Sequence, residues 1–189
     1  AASIWVENET GHPATHLTAH CKGLDLPAWD PRGKRGNAVA YMTSNIGASH
    51  MRAEYKTPTG LPDSSAVDLM AELVESQNEI VIRDSMILCA FAKGVTSNEV
   101  MVEAYNSITG QSTNWSELKS RAAEQWDLAR AWNVSYWQRL GHNPKQQDLL
   151  SYRLRKDPLP DGIAKGMVGF VDDKDEQMCI EEYYRLRGW

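Results

Sequence analysis

Within Ile82-Arg-Asp-Ser-Met-Ile-Leu-Cys-Ala-Phe91 a carboxylate at Asp84 and a thiol at Cys89 stand five residues apart in mostly apolar surroundings. If buried, the carboxylate needs a partner, because an unpaired buried charge costs several kcal/mol. The thiol has two readings. It is a small core hydrophobe, as free cysteines commonly are, or a thiolate ligand to a metal, whose binding offsets burial. A four-thiolate cluster needs three more ligands, and neither Cys21 nor Cys179 has a C-x-x-C companion, so those ligands would have to come from outside this sequence.

His50 stands in Thr43-Ser-Asn-Ile-Gly-Ala-Ser-His-Met-Arg-Ala53, an approach where backbone can come close to a ligand and an imidazole can move protons near neutral pH. A lone histidine is also commonly structural. His12, His16 and His20, spaced by four with Cys21 adjacent, would align as zinc ligands on one helix. Gly11 and Pro13 argue against that helix and favour ordinary polar histidines. Lys22 and Arg32 can hold phosphate or pair with Asp25 and Asp30, and spacing leaves both open. Trp115, Trp126, Trp132 and Trp137 fall on helical sequence, where core and interface filling is expected over a stacking platform.

The chain that carries these groups has 189 residues, enough for one well-buried core or two small ones. With 42% hydrophobic and 24% charged residues it reads as folded and globular. The 20 Lys and Arg are scattered among 25 Asp and Glu, which argues against nucleic acid as a partner. The most apolar stretch, 79–95, is broken by Arg83, Asp84 and Lys93, so no membrane span is expected. Three widely separated cysteines and an N-terminus without a basic patch and apolar run suit a reducing, cytoplasmic compartment.

The elements expected to position the groups are helices. Residues 1–63 read as loops and short helices, with Pro13, Pro27, Pro31, Pro58 and Pro62 as punctuation and one helix around 37–46. From residue 64 a helical bundle is expected. Ser64 or Ser65 caps a helix to about Gln77, and an apolar helical segment continues from Asn78 to Lys93, ended by Gly94. Ser97 caps a helix ending before Gly110. Asn114-Trp-Ser-Glu117 opens the longest helix, running to Gly141, whose apolar face takes in Leu118, Ala122, Trp126, Leu128, Ala129, Trp132, Trp137 and Leu140. Residues 141–171 read as irregular surface cover, and 172–187 as a final helix. That helix ends at Gly188 with Trp189 left bare, which reads as a piece of something longer. The fold class is all-α: an irregular N-terminal third, then a multi-helix bundle.

Four ordered blocks carry a family resemblance: Lys22-Gly-Leu-Asp-Leu-Pro-Ala-Trp-Asp-Pro-Arg-Gly33, Ala40-Tyr-Met-Thr-Ser-Asn-Ile-Gly-Ala-Ser-His-Met-Arg-Ala53, Asp84-Ser-Met-Ile-Leu-Cys89 and Glu182-Tyr-Tyr-Arg-Leu-Arg-Gly-Trp189. Together they resemble the aldehyde ferredoxin oxidoreductases over nearly the whole chain. The resemblance implies the C-terminal helical domain of a larger enzyme, with residues 1–63 facing the cofactor and 64–189 forming the bundle. It implies a tungsten, or molybdenum, ion held by two pterin dithiolenes beside a [4Fe-4S] cluster, aldehyde oxidation to carboxylic acids, and electron transfer to ferredoxin or an electron-transfer subunit. It also implies the earlier part of the same enzyme as a partner, without which these residues do not catalyse, and a possible homo-oligomer.

In the family's Asp-x-x-Gly-Leu-Cys pattern the aspartate contacts a pterin and the cysteine is the fourth cluster ligand. Asp84, Leu88 and Cys89 match that pattern, and Ile87 replaces the glycine. Gly47-Ala-Ser-His50 is similar to the segment that places a proton-transferring histidine near the metal, with Ser49 as the departure. That departure keeps open a related tungsten enzyme with another substrate, such as an aromatic thioester. From a different class stands a non-catalytic helical interaction module, for which Asp84 would pair within the fold and Cys89 would be enclosed.

Overall fold

The computed structural model describes residues 2–53 and 65–189; Ser64, Pro58 and Pro62 lie outside them. Among the described residues the protein is all-α, with α-helices at Ala2–Thr10 (α1), Arg35–Thr43 (α2), Met70–Ser85 (α3), Asn98–Thr109 (α4), Trp115–Arg139 (α5), Tyr152–Lys156 (α6) and Asp173–Arg187 (α7). The one sheet among them is a two-residue hairpin in which His20–Cys21 (β1) pairs antiparallel with Leu24–Asp25 (β2). No described helix is long and apolar enough to cross a membrane.

All nine residues of α2 are buried. Gly36, Ala38 and Ala40 keep its girth small, so other segments close around it on every side. Val39, Tyr41 and Met42 on α2 join Met70 and Leu73 on α3, Leu154 on α6, Phe170, and Cys179 and Tyr183 on α7 in one core. Side chains of this size contribute about 1.5–3 kcal/mol each when fully buried. That core draws on both the loop-rich first third and the bundle.

Helix α3 packs on α2, α5 and α7. Its Gln77 is fully buried and accepts hydrogen bonds from Tyr183 Oη and Arg187 Nη2, both at 2.7 Å, while Arg187 Nη1 donates to Asn78 Oδ1 at 2.8 Å. The cation near the end of α7 therefore does more than answer the helix dipole: it closes a polar network in the core. A smaller cluster of Ile82, Leu118 and Ala122 joins the far end of α3 to α4 and α5.

The expected stops and starts around α4 and α5 are present. Ser97 Oγ accepts from Val100 N, Gly110 ends α4 in the left-handed region, and Asn114 with Glu117 forms a reciprocal capping box. The expected apolar face of α5 is narrower than its residues suggest. Only Leu118, Ala122, Trp126 and Arg130 are buried, a single stripe at four-residue spacing. Leu128 and Trp132, turned roughly 200° from residues two positions away, are exposed, as is Leu140.

Two further differences concern the chain ends of the bundle. Residues 141–171 are largely irregular apart from α6, yet supply Asp148, Leu150, Leu154, Ala164, Met167 and Phe170 to the interior, so they form core as well as cover. Trp189 is not bare: its Nε1 donates to Asp127 Oδ1 at 2.9 Å, and its ring lies 4.8 Å from the Arg130 guanidinium.

Candidate functional site

The expected helical segment over Asn78–Lys93 is helical as far as Ser85 and then breaks. Helix α3 runs unbroken through Asn78 and stops at Ser85, Ile87 takes φ +58°, and a 3-10 turn begins at Ala90. Leu88 N donates to Arg83 O and Ile87 N to Asp84 O, the paired bonds of a Schellman ending. That ending wants glycine where Ile87 stands, and a side chain in the left-handed region costs about 1–2 kcal/mol. The break turns the chain so that Asp84 lies in the last turn of α3 while Cys89 opens the next turn.

Both residues reach solvent. Asp84 is not buried, and its partner is Arg52, whose Nη1 lies 2.7 Å from Oδ2. Cys89 is a free, exposed thiol and not a core cysteine, whereas Cys21 and Cys179 are buried. Burial raises both of those thiols to about 11. Around Cys89 the surface is apolar: Ile87 is 93% exposed, Phe91 99% and Val95 86%.

Beside this surface lies a cleft of about 340 Å³ whose walls include Trp29, His50, Ile80, Arg83, Asp84, Leu88 and Phe91. Three of the four residues singled out in sequence, His50, Asp84 and Leu88, thus share one cavity, and Cys89 follows Leu88 at its edge. Arg83, which sequence reasoning passed over, is buried in the same wall. No sequence signal marked it, because Glu79 four residues earlier reads as an ordinary helix-surface ion-pair partner.

His50 is held by stacking and by the loop before it. Its ring lies 5.8 Å from that of Trp29 at an interplanar angle of 8°, and Lys34 Nζ sits 4.0 Å from the Trp29 ring centroid. Tyr41 Oη donates to the Trp29 carbonyl at 2.9 Å, which fixes the indole to α2. Gly47 adopts φ +98° and lies against the Cys21 carbonyl, an approach that a side chain would block. Nδ1 of His50 is buried without a hydrogen-bond partner among the described residues.

The other candidates resolve into structure. His12, His16 and His20 fall in a loop, a 3-10 turn and β1, so they share no helix. Among the described residues no three His, Cys, Asp or Glu side chains converge as metal ligands. Arg32 is paired with Asp30 through Nε and Nη2. Lys22 pairs with Asp148 at 2.8 Å and not with Asp25, and also donates to the carbonyls of Met42 and Ser44 at the end of α2. Burial lowers the Lys22 ammonium below its ordinary range, with Asp148 working against that. Trp126 fills core, and Trp132 is exposed.

The family model for aldehyde ferredoxin oxidoreductase, domains 2 & 3, matches residues 2–189. A tungsten-containing aldehyde ferredoxin oxidoreductase of Pyrococcus furiosus is 27% identical over 186 residues, covering 95% of this chain and 29% of that protein. One from Thermococcus kodakarensis is 26% identical over the same share of each chain. The chain therefore spans about 29% of the length of these curated relatives.

Proposed function

The chain belongs to the aldehyde ferredoxin oxidoreductase family, and on that premise we propose that it forms the cofactor-facing helical part of a tungsten-pterin enzyme oxidising aldehydes to carboxylic acids. The observation that carries this reading is the joint exposure of Asp84 and Cys89 beside one cleft, rimmed by apolar side chains that nothing among the described residues covers. An interaction module that had merely kept the packing would enclose the thiol; Asp84 pairs within the chain, with Arg52, on either reading, so the exposed Cys89 separates the two.

The residues fit the implied groups. Arg52 engages Oδ2 of Asp84, which leaves Oδ1 as an acceptor for ring N–H donors of a pterin. Leu88 gives the cleft an apolar wall beside it. The exposed Cys89 thiol is available as the fourth thiolate of a [4Fe-4S] cluster whose other ligands lie outside these residues. When bound, a tungsten or molybdenum bis-pterin supplies the two-electron oxidation and the cluster supplies the one-electron steps onward. In balance, aldehyde and water give acid, two protons and two electrons, the electrons passing to oxidised ferredoxin.

His50 is the proton-handling residue of this scheme. Its stacking on Trp29 fixes the ring plane beside the cleft, where the imidazole can take or give a proton at the substrate oxygen. Three free cysteines suit a reducing cytoplasm. Iron and tungsten analysis of the intact native protein tests the assignment. Both metals are expected, and Cys89→Ala is expected to lower iron content and change the cluster's electron paramagnetic resonance signal. Absence of tungsten and molybdenum, or an unchanged cluster in Cys89→Ala, refutes it.

A further inference from the structure

In the second half of α5, Leu128, Trp132, Tyr136 and, at its C-cap, Leu140 stand four residues apart and are between 54% and 75% exposed. Positions at that spacing lie one above the next on a helix, so the four make a continuous ridge. Trp126 and Arg130 turn inward instead, to Tyr183 Oη and Asp148. The ridge is therefore not the margin of the core, and no described residue covers it. Its four side chains offer roughly 500 Å² of largely apolar surface, a patch of the size that marks an interaction site.

The charges that flank the ridge select its occupant. Glu124 lies eight residues before Trp132 and Arg139 seven after it. Both are exposed, and neither has an ion pair among the described residues. The other cation on this side, Arg121, is already engaged by Tyr105 and Gln111. A second α5 laid antiparallel, with Trp132 on Trp132, sets Leu128 against Tyr136 and brings Glu124 beside Arg139 at both ends. Laid parallel, the same helices would meet with like charges together. The ridge is thus complementary to itself through a two-fold axis, the requirement of an isologous interface. Trp, Tyr and Arg are also the side chains enriched where proteins meet. Two copies would withdraw about 1,000 Å² from water, the smallest area for a specific contact, which suits a dissociable dimer. We propose that the outer ridge of α5 is a self-association surface, which takes a second copy of this chain, antiparallel, about a two-fold axis at Trp132.

The intact native protein carries the test, with wild type as the control for its other thiols. On mild oxidation Trp132→Cys is expected to give a covalent dimer that wild type does not give, because an axis at this position places each new thiol beside its own copy. By sedimentation equilibrium, Glu124→Arg and Arg139→Glu are each expected to weaken the dimer about tenfold, since each reversal creates a like-charge contact at both ends. Combining them restores opposite charges and is expected to return dissociation to near the wild-type value. All three side chains are exposed, so unchanged urea midpoints check that the fold is intact.

A protein that stays monomeric at all concentrations, or a double reversal no better than the single ones, overturns the proposal. So does a dimer that Trp132→Cys does not cross-link, because it lies on another face. The new thiol then reports what the ridge meets: fast reaction with a maleimide means open water, and protection means that the earlier part of the enzyme or another protein covers it. These readouts need neither metal nor turnover, so failure of the aldehyde-oxidation reading would leave this inference standing.

Discussion

A Cβ on Gly47 would stand 2.2 Å from the carbonyl oxygen of Cys21. The neighbouring atom is backbone, so it cannot swing aside, and φ +98° is closed to ordinary side chains. Gly47→Ala is therefore expected to destabilise the chain by about 2 kcal/mol or more, measured by urea denaturation. It should also displace His50, three residues on, which a change in the Trp29 fluorescence environment would report. A variant as stable as the parent would mean that the loop is not held against Cys21.

Ile87 gives the opposite expectation. It is almost wholly exposed and sits in the left-handed position of a helix ending. Ile87→Gly relieves about 1–2 kcal/mol of backbone strain and returns part of that as chain entropy in the unfolded state. A net gain of about 0.5–1 kcal/mol in denaturation free energy is expected. A loss would show that the isoleucine makes packing contacts that its exposure hides.

Asp148 is fully buried between two cations, 2.8 Å from Lys22 Nζ and 2.7 Å from an Arg130 nitrogen, and it accepts a short hydrogen bond from the Tyr184 hydroxyl. Its hydrogen bond and charge hold the Arg130 guanidinium above its ordinary range in spite of burial, which acts the other way and is the largest single influence. Asp148→Asn leaves two buried positive charges without a counter-ion. A loss of about 3–5 kcal/mol is expected in urea or thermal unfolding, partly restored by adding Lys22→Met. If the single substitution costs less than about 1 kcal/mol, the cluster is open to water.

The buried thiols set an alkaline limit. Burial lifts Cys21 and Cys179 from 9.0 to about 11, so the folded chain keeps protons that the unfolded chain releases from pH 9 upward. That contribution is complete below pH 9, falls as pH rises, and is gone above about 11. Each thiol should remove about 1 kcal/mol of stability between pH 8.5 and 10. Lys22 works in the opposite direction because its own proton affinity is lowered. The clean comparison is therefore Cys179→Ala, whose urea midpoint should fall less over that interval. At pH 7.5 a disulfide reagent should titrate Cys89 alone in the folded chain; two or three fast equivalents would contradict the burial of the others.

The elements most legible in sequence were those whose ends carry local chemistry. Ser97, Gly110, Asn114 and Glu117 mark α4 and α5 because capping bonds form within four residues. The break at Ile87 was hidden because its residue type contradicts its conformation: nothing in an isoleucine signals a left-handed turn. Width of burial was also hidden. Leu128 and Trp132 read as core by type, and only the placing of α3 against one stripe of α5 leaves them outside. At the site, Asp84 and His50 were singled out by residue type and surroundings and Leu88 by the resemblance in motif, while Arg83 carried no motif and became visible only through missing partners in three dimensions.

The buried network at Gln77 has a consequence for how the chain reaches its fold. Arg187 is 110 positions from Gln77 and Tyr183 is 106, and the Lys22 to Asp148 pair spans still more of the chain. Contacts of such span must close large loops before they return any free energy, which slows folding and favours late, concerted assembly. During synthesis α2 and α3 emerge well before the helix that satisfies their polar groups. Until α7 is made, Gln77 and Asn78 must stay hydrated, and the nascent chain keeps an open seam where its interior will later be.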